Sequence, residues 1–242
     1  MSWNNYDDYK RPSVDELRKK AEKKIRSLKV SGFKLEPIPA GSRNGAIAKS
    51  FWGKTWCKHL EAFSDYEYRL PRGRSYVRNG TVVDLKIEPQ TVTAMVNGSE
   101  LYELTVNIDP LDPEKWAAIK ARCQGKIGSL VELLKGKLSD EIMSLVMDSE
   151  EGLFPKPQQI HFNCNCPDWA DMCKHVAASL YGVGVRLDAS PELLFKLRGV
   201  DHTELITLDT AISDLTKAKP SRRRRTLDSD AVSDVFGVDL EG

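Results

Sequence analysis

Between Cys164 and His175 the chain carries three cysteines and one histidine in the order C-x-C, six residues, C-x-H. No other stretch restricts the possible folds so strongly. Three thiolates and one imidazole form a closed tetrahedral donor set for zinc, so these four residues must meet at one point. Residues two apart on a strand share a face, so Cys164 and Cys166 can grip one ion from a hairpin arm, with 159–163 as a short strand leading in. Two residues apart inside a regular helix lie about 200° apart. Cys173 therefore belongs in a turn and His175 in the first turn of a helix. Val176, Ala177, Ala178 and Leu180 supply that helix, and Gly182 can end it. The alternative is a core that merely contains three thiols and a histidine, and such close clustering argues against it.

The pattern resembles the SWIM zinc finger, a short strand-strand-helix module. Cys166-Pro167-Asp168-Trp169 and Cys173-Lys174-His175-Val176-Ala177-Ala178 are similar to its bacterial form. Carried over residue by residue, the resemblance makes Cys164, Cys166, Cys173 and His175 the zinc ligands. It spans roughly residues 50–200, through a Trp-rich helix, an Arg72-Gly73-Arg74 strand, a Val96-x-Gly98-Ser99 turn and an Arg198-Gly199 ending. It implies DNA-binding and protein-interaction roles and, for bacterial members, partnership with a SWI/SNF-type helicase-like ATPase.

The remaining sequence is read for its periods. Ser13 and Glu16 make a capping box for a helix over 13–28, with Val14, Leu17, Ala21, Ile25 and Leu28 on one stripe and Lys19, Lys20, Lys23 and Arg26 on the other face. Residues 32–45, rich in glycine and proline, read as a linker or irregular strand. Ser50 caps a helix to about Phe63 that buries Trp52, Trp56 and Leu60. Beyond Arg69 the period becomes two: Tyr76 and Val77, then 82–87, 91–96 and 102–108, alternate as strands around turns at Asn79-Gly80, Glu88-Pro89-Gln90 and Asn97-Gly98. Helices follow over 113–122, 127–134 and 139–147, and a last one starts at Ser190-Pro191.

The fold class is therefore α+β: a small antiparallel sheet with packed helices, a strand-strand-helix zinc module and a flexible C-terminal tail. The divisions are 1–45, a basic helical arm and linker; 46–155, an α+β domain; 156–200, the zinc module; and 201–242, a loose tail with a basic linker and an acidic end.

Charge is balanced overall at +1, but local asymmetry points to partners. Residues 10–34 hold ten basic and three acidic side chains, and 226–242 hold five acids and no base. The cluster Arg69, Arg72, Arg74 and Arg78, with Tyr68 and Tyr76, can contact phosphate and stack bases. On one strand Arg72, Arg74, Tyr76 and Arg78 would share a face. A two-residue turn at Asn79-Gly80 sets that face beside Val83, Leu85 and Ile87; a three-residue turn leaves the arginines outside. The basic face with Lys19, Lys20 and Lys23 equally fits a solvated helix surface.

No leader pattern and no run of ~18 apolar residues occurs, so a membrane role is not expected. Five cysteines with three in a metal pattern suit a reducing, cytoplasmic setting. Cys57 and Cys123 read as buried helix residues, and His59, His161 and His202 stand alone. Four protein ligands leave zinc no open position, so a structural ion and no enzymatic activity are expected. The function expected is a zinc module that binds DNA or RNA, the helicase-like ATPase, or both. A pure protein adaptor that uses the acidic tail and a zinc-dependent hydrolase are the alternatives.

Overall fold

A computed structural model describes residues 13–206, apart from 43, 63–67, 149 and 171. The expectations for Phe63 and for the tail beyond 206 lie outside the described residues. The helices are α1 Val14–Val30, α2 Phe51–Glu61, α3 Leu70–Arg78, α4 Pro113–Cys123, α5 Leu130–Leu134, α6 Asp140–Met147, α7 Lys174–Ala189 and α8 Glu192–Leu197. The strands are β1 Val82–Glu88, β2 Thr91–Asn97, β3 Leu101–Ile108 and β4 Ile160–Cys164. They form one antiparallel sheet in the order β1-β2-β3-β4. The α+β expectation holds.

The sheet alternates as an antiparallel sheet with one wet face should. Val92, Ala94, Val96, Leu104, Val106 and Ile108 point into the core, while Thr93, Glu103 and Asn107 face solvent. A bulge at Val83 lets both Val82 and Val83 be buried and turns Asp84 toward the Glu36 amide, whose N–H it accepts at 2.6 Å. The irregular segment from Gly32 to Gly45 thus runs beside β1, tied to it at Ile38 and Glu36.

Helix α7 crosses the inner face and is buried along nearly its whole length. It packs against α2, where Trp52 and Trp56 are fully buried and donate their indole N–H groups to the carbonyls of Leu133 (3.0 Å) and Leu180 (2.8 Å). Burying side chains of this size stabilises by about 1.5–3 kcal/mol each or more, so this pair anchors the core.

Two expectations about this region are corrected. Gly182 does not end α7. A Cβ there would lie 2.7 Å from Leu85 Cδ1, and one at Gly184 would lie 2.7 Å from Cys57 Sγ. These glycines bring a sheet and a helix close to α7, and the helix runs through them to Ala189. The segment 72–78 is not a strand but most of α3. Its buried positions are Leu70, Gly73 and Val77, a helical spacing. A Cβ on Gly73 would sit 2.5 Å from Ala177 Cβ and 2.7 Å from the Ala177 carbonyl carbon, so α3 lies almost backbone to backbone on α7. A glycine at the centre of the contact hid the period. Asn79 then caps α3, and Gly80 takes φ +67° as the chain turns into β1.

Smaller differences follow local chemistry. The helix expected over 127–134 begins only at Leu130, behind the Ser129 cap. Ser13 and Glu16 do form the reciprocal box, yet α1 buries Ala21 alone. Among the described residues no helix is long and apolar enough to cross a membrane.

Candidate metal centre

Strand β4 pairs antiparallel with β3, setting Cys164 opposite Leu104 at the strand end. Cys166 lies just beyond it in the loop, so one strand, not two, leads into the centre. The Asn165 N–H donates to the Glu103 carbonyl, and Asn165 Oδ1 accepts the Glu103 N–H. That exchange holds the loop's first residues to the sheet. Cys173 is the N-cap of α7, its sulfur accepting the Val176 N–H at 3.5 Å, and His175 is in the first turn. The helical half therefore has the geometry that the spacing requires.

The donor atoms of Cys164, Cys166, Cys173 and His175 all lie within 4.8 Å of one another. His175 Nδ1 is 4.0 Å from Cys164 Sγ and 3.8 Å from Cys173 Sγ. A tetrahedral ion with bonds of about 2.3 Å to sulfur needs donor separations of about 3.6–3.8 Å. Small side-chain adjustments close the difference, so the cluster can hold a metal ion.

Burial governs the charges here. It pushes the Cys164 thiol up to about 12 and raises Cys173 as well. It also lowers His175 to about 4, helped by the Lys174 ammonium and opposed by Asp168. The imidazole is thus ready to donate at neutral pH, whereas the Cys164 and Cys173 thiols give up their protons only to a cation.

His175 is fully buried between two tyrosines. Tyr102 stacks on it at 4.2 Å with planes 23° apart, and Tyr76 meets it edge-on at 5.6 Å. A Cβ on Gly98 would lie 3.1 Å from His175 Nε2, so the β2–β3 turn presses against that side of the ring. Nε2 has no hydrogen-bond partner among the described residues. Tyr102 and Gly98 were missed as site residues. The one signal was Tyr102's place at an inward position beside the Asn97-Gly98 turn, which reads as ordinary core.

The loop is braced from outside at Asp168. Arg69, just before α3, pairs with Asp168 at 3.0 Å. Beside this pair Trp169 is 93% exposed and Tyr68 89% exposed, flanking a groove of about 930 Å³. His161 is elsewhere engaged, bound to Asp109 at 3.0 Å.

The expected nucleic-acid residues are not gathered on one face. Successive residues of the Arg72, Arg74, Tyr76, Arg78 series lie about 200° apart on α3. Arg72 is exposed. Arg74 pairs with Glu61 at 3.3 Å and lies over the Tyr181 ring. Tyr76 packs on His175, with the Lys174 ammonium 6.0 Å from its ring centre. Arg78 donates to the Gly45 carbonyl at 2.9 Å. On α1, Lys19, Lys20 and Lys23 are all exposed, and Lys20 also donates to the carbonyls of Gly98 and Ser99, each at 2.8 Å.

The chain is similar to Rv2102 of Mycobacterium tuberculosis, an uncharacterized protein. The two are 31% identical over 172 residues, which is 70% of this chain. That match spans 62% of the relative, under two thirds of its length. No family model matches the chain, and no solved structure does.

Proposed function

We propose that the chain is a SWIM-type zinc-finger protein, with one structural zinc held by Cys164, Cys166, Cys173 and His175, and that it acts by binding rather than by catalysis. The observation that carries this reading is the convergence of three sulfurs and one imidazole nitrogen within 4.8 Å. Thiolate-rich sets select zinc over the harder cations. With four protein ligands the ion has no place for a water or substrate, which is the arrangement of a structural site. Three thiolates and one Zn²⁺ leave a net charge of −1. The amides at the start of α7 and Lys174, next to two ligands in sequence, offset it.

The partner we favour is a protein, in line with the helicase-like ATPase that the SWIM resemblance implies. A tryptophan almost wholly in water on the metal loop supports this, because such residues anchor interfaces. Nucleic-acid contact is the weaker half of the reading. Of the basic residues expected to contact nucleic acid, Arg74 and Arg78 are engaged inside the molecule and Lys20 on two backbone carbonyls, which leaves Lys19, Lys23 and Arg72. Each phosphate they neutralise adds about −0.9 to the slope of log affinity against log salt for duplex DNA.

Metal analysis of the purified chain, followed by co-purification from cells with and without nuclease, tests the proposal. One zinc per chain and an ATPase that stays bound after nuclease and is lost with Trp169→Ala are expected. No zinc, or a partner released by nuclease alone, overturns the metal or the protein half respectively.

A further inference from the structure

A metal-bound histidine usually donates its second ring N–H to a carboxylate or carbonyl, which fixes the ring. His175 lacks such an acceptor among the described residues. Its orientation rests on packing instead: Tyr102 on one face, the edge of Tyr76, and the Gly98 backbone against Nε2. The centre is therefore only as rigid as the turn that carries Gly98.

That turn is closed by the Gly98 N–H donating to the Glu100 carbonyl at 2.7 Å. Ser99 Oγ shares a 2.7 Å hydrogen bond with the Tyr102 hydroxyl, joining the turn to the ring stacked on His175. The carbonyls of Gly98 and Ser99 both receive one donor, the Lys20 ammonium from α1. A single cation thus pins two successive peptide groups behind the metal ligand.

Helix α1 has little else to hold it. It buries Ala21 alone; Val14, Leu17, Ile25 and Leu28 stay half-buried and Val30 is exposed. Its second tether is Arg18, which donates to the carbonyls of Gly41 (2.8 Å) and Arg78 (3.2 Å). A helix held this lightly can leave the surface at modest cost, and one of its two polar tethers among the described residues is the wall of the metal site.

We propose that Lys20 is a positioning residue for the metal centre and that, reciprocally, metal occupancy keeps the basic helix α1 docked. This rests on the zinc reading above and deepens it. Any free energy by which a docked α1 favours metal must be returned by metal to docking, because the coupling is symmetric. The consequence is functional. The exposed Lys19 and Lys23 are presented on a fixed frame when the site is loaded and on a loosened arm when it is not.

The test uses the full chain loaded with Zn²⁺ or with Co²⁺, whose visible absorption reports ligand geometry. Chelator competition on Lys20→Met, which keeps the aliphatic stem and removes the donors, is expected to show metal held about tenfold less tightly, with shifted cobalt bands. Lys20→Arg, which restores donors, is expected to recover both. Tryptic cleavage at Lys23 and Lys24 of the unmodified chain is expected to speed up when metal is stripped. Unaltered affinity and cobalt spectrum in Lys20→Met, or cleavage of α1 at one rate with and without metal, overturns the inference and leaves the zinc centre standing. An unmodified chain that binds no metal at all brings down the zinc reading and this inference with it.

Discussion

Residues 164–175 and residues 69–78 are both short polar segments that touch the buried helix α7, and they obey opposite rules. In the first, the chemistry sits in the residue types, and covalent spacing alone decides which four side chains can meet. In the second, four arginines and one tyrosine offered a chemistry whose meaning depends on which side of the backbone each occupies. The metal cluster survives folding as expected, with all four donors within 4.8 Å. The basic cluster is dispersed: one arginine to solvent, three to internal partners, and the tyrosine to the wall of the metal site. Residues crowded in sequence form a site only when the local backbone brings their side chains to one point.

The sharpest way to break this contrast is to remove a ligand. Cys173→Ser should abolish metal binding and melt the start of α7, since structural zinc sites contribute on the order of 10 kcal/mol to folding. Metal analysis with helical circular dichroism measures both. A variant with full metal and unchanged helix content would reduce the cluster to ordinary core.

Proton competition gives the next largest effect. The Cys164 and Cys173 thiols are raised by burial, so the metal-free protein holds more protons than the loaded one, and affinity must rise with pH. Each thiol proton displaced contributes about a factor of ten per pH unit over the neutral range. His175, lowered to about 4, is already neutral there and adds to the slope only near and below that pH. Chelator competition between pH 6 and 8 measures it; a flat profile contradicts thiolate ligation.

For the other region the expected effects are smaller and lie on the glycine, not the arginines. Gly73→Ala drives a methyl to within 2.5 Å of Ala177 Cβ and 2.7 Å of its backbone. Overpacking of that kind costs about 1–3 kcal/mol and should appear as a lowered Tm. Arg72→Ala, at an exposed position, should stay within about 0.5 kcal/mol. If the order is reversed, α3 does not lie on α7 as described.

The least effect on stability is expected from Trp169→Ala, again within about 0.5 kcal/mol, because the indole buries almost nothing. The same variant should lose the proposed protein partner. A large drop in Tm instead would mean that the tryptophan packs inside the protein and is no docking anchor.

Much of the fold was legible before any coordinates. The capping box of α1, the Trp52–Trp56–Leu60 stripe, the meander from Val82 to Ile108 and the Cys–His cluster all depend on interactions within a few residues or on strict alternation, and both are written directly in the chain. The two misreadings of the packing around α7 had one cause. At Gly73, Gly182 and Gly184 a missing side chain is the contact: glycine lets α3, β1 and α2 approach α7 so closely that no methyl fits. Apolar periodicity counts side chains, so it passes over positions where the packing partner is backbone. The same holds for Lys20, whose partners, the Gly98 and Ser99 carbonyls, stand 78 and 79 residues away. Residue identity and spacing therefore determined that this chain brings together a Cys–His cluster able to hold a metal ion. Only tertiary structure decided which basic residues are free to meet a partner, because that depends on which distant backbone carbonyls and carboxylates have already taken them.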